Sequence, residues 1–139
     1  MTGNSLLGAL DQNTAQNREK TETKVRNIVK LAATVFQKIG PGFVKGVYHK
    51  ALMHELRKQG LTFEGNKRMQ VIYDGVVVGD FIADIFVAGE IMVEVRAQNN
   101  VSEAEERIII NHLNVAGVPC GLLLNFGGRI LESKSFFRE

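Results

Sequence analysis

The sequence predicts an α/β sandwich with a central mixed β-sheet. Three patterns predict it. Two amphipathic helical segments come first, β-branched and aromatic runs with turn signals between them fill the middle, and one more helix leads into a continuous apolar strand. A length of 139 residues suits one domain with a single core.

Residues 1–21 are mostly polar and show no sustained apolar period, so they read as a tail or loosely docked arm, with room for a short helix through Leu6, Leu7 and Leu10. Residues 22–139 then form the single domain. From about 23 to 39, Val25, Ile28, Val29, Ala32, Val35, Phe36 and Ile39 recur at spacings of three and four, which makes one apolar helix face. Gly40 and Pro41 end it. A second helix, about 44–59, carries Val47, Tyr48, Ala51, Leu52 and Leu56 on one side and stops at Gly60.

Four strand segments follow: "LTFEG", "RMQVIYD", "VVVGDFIADIFV" and "EIMVEVRA". Asp74-Gly75 is a two-residue hairpin signal, and Ala88-Gly89-Glu90 a longer turn. Ser102 and Glu105 have capping-box spacing ahead of a helix over 103–116, which Gly117 closes. "PCGLLLNFG" reads as a strand buried on both faces, and Gly127-Gly128 turns the chain into a last strand, "RILESKSFF".

Composition narrows the classes of function. Hydrophobic residues make up 45% and charged residues 23%, ordinary for a globular chain. No apolar run has the length of a membrane span, and the N-terminus lacks the pattern of a secretory signal. Cys120 sits in an apolar stretch and reads as a buried, reduced thiol. The expected location is cytoplasmic. The net charge of +2 hides an asymmetry: residues 1–68 carry 12 Lys+Arg against 5 Asp+Glu, and residues 69–139 carry 5 against 10. A basic N-terminal half is a candidate face for nucleic acid or for an acidic protein partner, and the two halves also complement each other within a fold or a homodimer. No Cys-x-x-Cys, phosphate-binding loop or dinucleotide fingerprint is present. His49, His54 and His112 lack metal-ligand spacing and read as surface or semi-buried residues.

The most informative constellation lies in "FIADIFV" and "MVEVR". Strand alternation puts Phe81, Ala83, Ile85 and Val87 on one face and Ile82, Asp84 and Phe86 on the other. A three-residue loop at 88–90 sets Asp84 opposite Glu94, with Cβ atoms about 4.5–5.5 Å apart. Two carboxylates inside apolar strands need a cation between them, either a divalent ion or a neighbouring lysine or arginine. The plainer reading is a structural salt bridge among Asp84, Glu94 and Arg96.

Several segments together resemble one family. "GPGFVKGVYHKAL" at 40–52, "GDFIADIFV" at 79–87, "IMVEVRA" at 91–97 and "NHLNVAGVPCGLLLNFG" at 111–127 are similar to the GxxExxY proteins of the PD-(D/E)XK nuclease superfamily. The resemblance covers about residues 22–138. It implies a restriction-endonuclease-like fold, a central mixed sheet flanked by helices with a divalent-metal site at one end. It also implies positions at which this chain departs from the pattern. The motif glutamate falls at Lys45, the Glu-x-Lys lysine at Arg96, and a helix glutamine at Ile108, whereas Asp84 and Glu94 match. Tyr48 belongs to the motif, with its ring packed and its hydroxyl near the site.

In the implied chemistry Asp84, Glu94 and the Val95 carbonyl hold Mg²⁺ or Mn²⁺, and a lysine serves the attacking water and the phosphate. Arg96 cannot act as a base, because its pKa lies above about 12. The parent set of Glu, Asp, Glu and Lys sums to −2. Lys45, Asp84, Glu94 and Arg96 sum to zero and can satisfy one another as ion pairs. The expectation is therefore a nuclease fold without activity, or with weakened activity, that needs no cofactor and serves as a binding or assembly module. The alternative is a metal-dependent nuclease with Asp84 and Glu94 on the metal and Lys45 and Arg96 on the phosphate.

Overall fold

A computed structural model describes residues 2–138. Three helices and five strands follow in the order α1 (Thr2–Ile39), α2 (Lys45–Lys58), β1 (Phe63–Tyr73), β2 (Val76–Val87), β3 (Ile91–Arg96), α3 (Glu103–Ala116), β4 (Cys120–Asn125) and β5 (Glu132–Phe137). The strands form one sheet in the order β1-β2-β3-β4-β5. Only β3 and β4 are parallel, and α3 makes the crossover between them. No described helix is long and apolar enough to cross a membrane.

The helices cover the two faces of the sheet. Ile28, Ala32 and Val35 of α1 and Tyr48, Leu52 and Leu56 of α2 pack on Ile85, Val93, Val95, Leu122 and Leu124. On the other face Ile109 and Leu113 of α3 pack on Ala83, Met92 and Leu123. The strands β3 and β4 are sandwiched between these layers, which explains their unbroken burial.

Helix signals placed the caps correctly. Ser102 Oγ accepts from the Glu105 N–H at 3.1 Å, and Gly117 closes α3 in the left-handed region at φ 72°. Asp74 and Gly75 both have positive φ, as a tight hairpin turn requires. Helix α1, however, does not begin near residue 23. It runs from Thr2, through a segment that contains no proline and has good helix formers at Ala15, Gln16, Arg18, Glu19, Lys20 and Glu22. The turns just before its apolar face dock through polar groups, which leave no apolar period to read. Thr21 Oγ1 donates to Glu90 Oε2 at 3.4 Å, Lys24 Nζ meets Glu90 Oε1 at 2.6 Å, and the Arg18 guanidinium lies 4.2 Å from the Phe137 ring centroid.

Two strand expectations also change. "LTFEG" and "RMQVIYD" belong to one strand, β1. Strict alternation along β2 fails at Asp84: Phe81 and Ala83 join the α3 side, whereas Ile85 and Val87 join the α1–α2 side. Opposite Asp84, Asn66 takes φ 50°, and the β1–β2 pairing runs from Gly65↔Ile85 to Lys67↔Ala83 without pairing these two residues. The hairpin thus changes phase at the aspartate.

Candidate functional site

The ladder between β2 and β3 fixes the register as Ile85↔Val93, and the next step outward sets Asp84 against Glu94. The backbone ladder stops there. Asp84 instead turns its carboxylate to the partner strand, and Oδ2 accepts from the Val95 N–H at 2.8 Å. Its own carbonyl accepts from His49 Nε2 at 2.8 Å. A carbonyl can only accept, so His49 carries its proton on Nε2. His49 is therefore a buried residue that positions Asp84, not the surface or semi-buried one expected. His112 stacks on Phe81 with centroids 3.8 Å apart, and burial, with Arg96 nearby, lowers its pKa.

Cations from two elements converge on the carboxylates. Lys45 Nζ lies 2.9 Å from Asp84 Oδ1. Lys45 opens α2, whose first turn holds no acidic residue and whose preceding Val44 makes no side-chain cap. A cation at the positive end of a helix dipole is unfavourable, and Asp84 offsets that cost. Arg96 Nη1 is the central atom. It lies 3.0 Å from the Val95 carbonyl oxygen, 3.4 Å from Glu94 Oε2 and 3.6 Å from Asp84 Oδ2. These three residues supply the oxygens that the resemblance assigns to a metal. An ion there would compete with the guanidinium for the same volume. Among the described residues no group of three or more His, Cys, Asp or Glu side chains is placed to hold a metal. The donor set does not fit a divalent ion while Lys45 and Arg96 hold these positions.

Glu94 is almost fully buried, and among the described residues its Oε1 has no hydrogen-bond partner. Burial first, then the Asp84 carboxylate, push its pKa up to about 8 against the opposing pull of Arg96 and Lys45. Burial thus favours the neutral form of Glu94, and with that carboxyl neutral the four side chains together carry one net positive charge.

Aromatic and amide contacts hold this end of the sheet. The Tyr48 ring stacks on Phe126 at 4.6 Å, and its hydroxyl donates to Gly40 O at 2.7 Å and accepts from Phe43 N–H at 3.2 Å. Tyr48 thus secures the turn that leads to Lys45 and bonds none of the carboxylates. The segment "NFG" after β4 acts likewise. The buried Asn125 amide accepts from the Gln98 N–H at 3.0 Å and donates to the Gln98 carbonyl at 2.9 Å, clasping the chain just after Arg96. Gly127 lies so close that an added Cβ would meet the Gln98 backbone at 2.2 Å. Gly127→Ala should accordingly lower stability by at least about 2 kcal/mol, read as a fall in the urea midpoint, since rigid backbone cannot relax as a side chain can. Sequence reading missed His49, Asn125 and Phe126 as positioning groups. The conspicuous "GLLLNFG" was the only signal for the last two. Ile108 is half exposed on α3, and Cys120 is buried with its thiol pushed up to about 12 by burial, which leaves it inert.

A family profile described as the PD-(D/E)XK nuclease superfamily matches residues 22–136. The chain belongs to this superfamily. The five-stranded mixed sheet between helices is consistent with its restriction-endonuclease-like fold. Neither a curated protein nor a solved structure matches the chain.

Proposed function

We propose that this PD-(D/E)XK chain is a non-cleaving binding module, of the GxxExxY type with a degenerate motif, which grips phosphate groups of nucleic acid. The observation that supports this most is the single guanidinium nitrogen of Arg96 facing Asp84, Glu94 and the Val95 carbonyl at once. A cation supplied by the protein takes the role of a cation supplied by solvent. Lys45 is 44% exposed at the mouth and Arg96 22% exposed, so both retain donors for a phosphate oxygen. With Glu94 in its neutral form, Lys45 and Arg96 outnumber Asp84, which favours an anion over a dication. The basic N-terminal half extends that field.

The test combines a Mn²⁺ titration by calorimetry, on the wild type and Asp84→Ala, with fluorescence anisotropy on labelled DNA and RNA. Neither protein should give heat from Mn²⁺. Nucleic acid should bind equally with EDTA or Mn²⁺, weaken steeply between about 50 and 200 mM salt, and remain uncut. Mn²⁺ uptake that vanishes in Asp84→Ala, together with strand cleavage, would sink the proposal. It would point to a metal-dependent nuclease in which Asp84 and Glu94 hold the metal and Lys45 and Arg96 hold the phosphate. Indifference to nucleic acid would shift the role to protein assembly.

A further inference from the structure

The β1–β2 hairpin reaches past the helices with its apolar side chains in solvent. Ile72, Val76, Val77, Val78 and Ile82 are each more than half exposed, and Tyr73 is 73% exposed. These six lie within eleven residues of one hairpin. In addition, β1 is an outermost strand, eleven residues long, with one row of backbone donors and acceptors unpaired. The other edge strand, β5, is only six residues long and carries Glu132 and Lys134, the latter bound to Glu106 at 3.0 Å. Native edges are normally shortened or charged in that way; β1 is long, and its charges, Glu64, Lys67 and Arg68, leave the run from Met69 to Tyr73 without one.

We propose that two copies of this chain associate through β1, edge to edge and antiparallel, extending the sheet across a two-fold axis at Val71. The charge order along β1 favours a second copy as the occupant. Lys67 and Arg68 stand near one end of the exposed segment and Asp74 at the other. Strands run antiparallel about Val71 bring Met69 of each copy opposite Tyr73 of the other, and Arg68 beside Asp74 in the other copy's turn, just past the end of β1. Such a contact is self-complementary, as a two-fold interface requires. Among the described residues Arg68 has only an exposed contact with Asp80 at 3.6 Å, so it can be shared. Nucleic acid fits this patch poorly, because the two cations Lys67 and Arg68 are balanced by Asp74 and Asp80. A membrane surface fits poorly for the same lack of positive charge.

Sedimentation equilibrium of the full chain tests the proposal. The expected mass at about 50 μM is twice 15.4 kDa. Ile72→Lys with Val77→Lys should return it to 15.4 kDa with an unchanged circular dichroism spectrum. Arg68→Asp and Asp74→Arg should each weaken association by about tenfold or more, and the two together should restore it. A monomeric wild type, a dimer that survives the paired lysines, or charge reversals that fail to rescue each other would overturn it.

Discussion

Lys45→Glu combined with Arg96→Lys should create divalent-metal binding where none is expected of the wild type. The double change turns a cluster with no formal net charge into one of −2. It also withdraws Nη1 from the Val95 carbonyl and both carboxylates. Residue 45 is well placed to contribute a ligand, since its present side chain ends 2.9 Å from Asp84 Oδ1. A glutamate there would also suit the N-terminus of α2. At an effective dielectric of about 20, reversing one charge about 5 Å from a dication changes its energy by roughly 13 kcal/mol. Even after screening by solvent, that amounts to some three orders of magnitude in affinity. Mn²⁺ calorimetry should therefore move from no detectable heat to a measurable dissociation constant. The Lys45→Glu single variant should fall between, because Arg96 still covers the three oxygens. A double variant that folds, by circular dichroism, and still ignores Mn²⁺ would mean that the geometry of the carboxylates, and not the two cations, is what prevents binding.

The parts of this molecule that were legible in the sequence are those specified locally. Ser102, Glu105 and Gly117 announce both ends of α3, and Asp74-Gly75 announces its hairpin, because caps and turns depend on neighbours a few residues away. The opposition of Asp84 and Glu94 was legible as well, since strand register follows from loop length. Contacts made between distant segments were not. Helix α1 was expected from residue 23 because its earlier turns dock through Thr21, Lys24 and Arg18 rather than through an apolar stripe. His49 looked idle because its partner is a backbone carbonyl 35 residues away. The change of phase at Asp84 escaped a reading by strict alternation, since Asn66 on the facing strand is part of it. Lys45 and Arg96 drew attention as departures only through the resemblance to a family motif. That one nitrogen of Arg96 faces all three oxygens is a fact of geometry alone.

Glu94→Gln should make the protein markedly more stable at alkaline pH and leave it nearly unchanged at pH 5. The unfolded Glu94 titrates near 4.5 and the folded one near 8. Between those values the folded state binds the extra proton, so stability falls as pH rises. The stabilising contribution is complete below the unfolded value and lost once pH passes the folded one. Across that window the loss is on the order of a few kcal/mol, equivalent to roughly ten degrees in melting temperature for a chain of this size. Glutamine keeps the shape, cannot ionise, and supplies a donor beside Asp84. Melts followed by circular dichroism at pH 5, 7 and 9 should give wild-type and variant curves that coincide at the acid end and diverge at the alkaline end. Parallel curves would mean that Glu94 is already ionised at neutral pH, balanced fully by Arg96 and Lys45. The same proton bears on ligand choice. With Glu94 neutral, Lys45 and Arg96 outnumber the one remaining carboxylate and favour an anion. As Glu94 ionises above pH 8, the surplus disappears. Affinity for a phosphate backbone should therefore decline over the alkaline range in the wild type and stay level in Glu94→Gln.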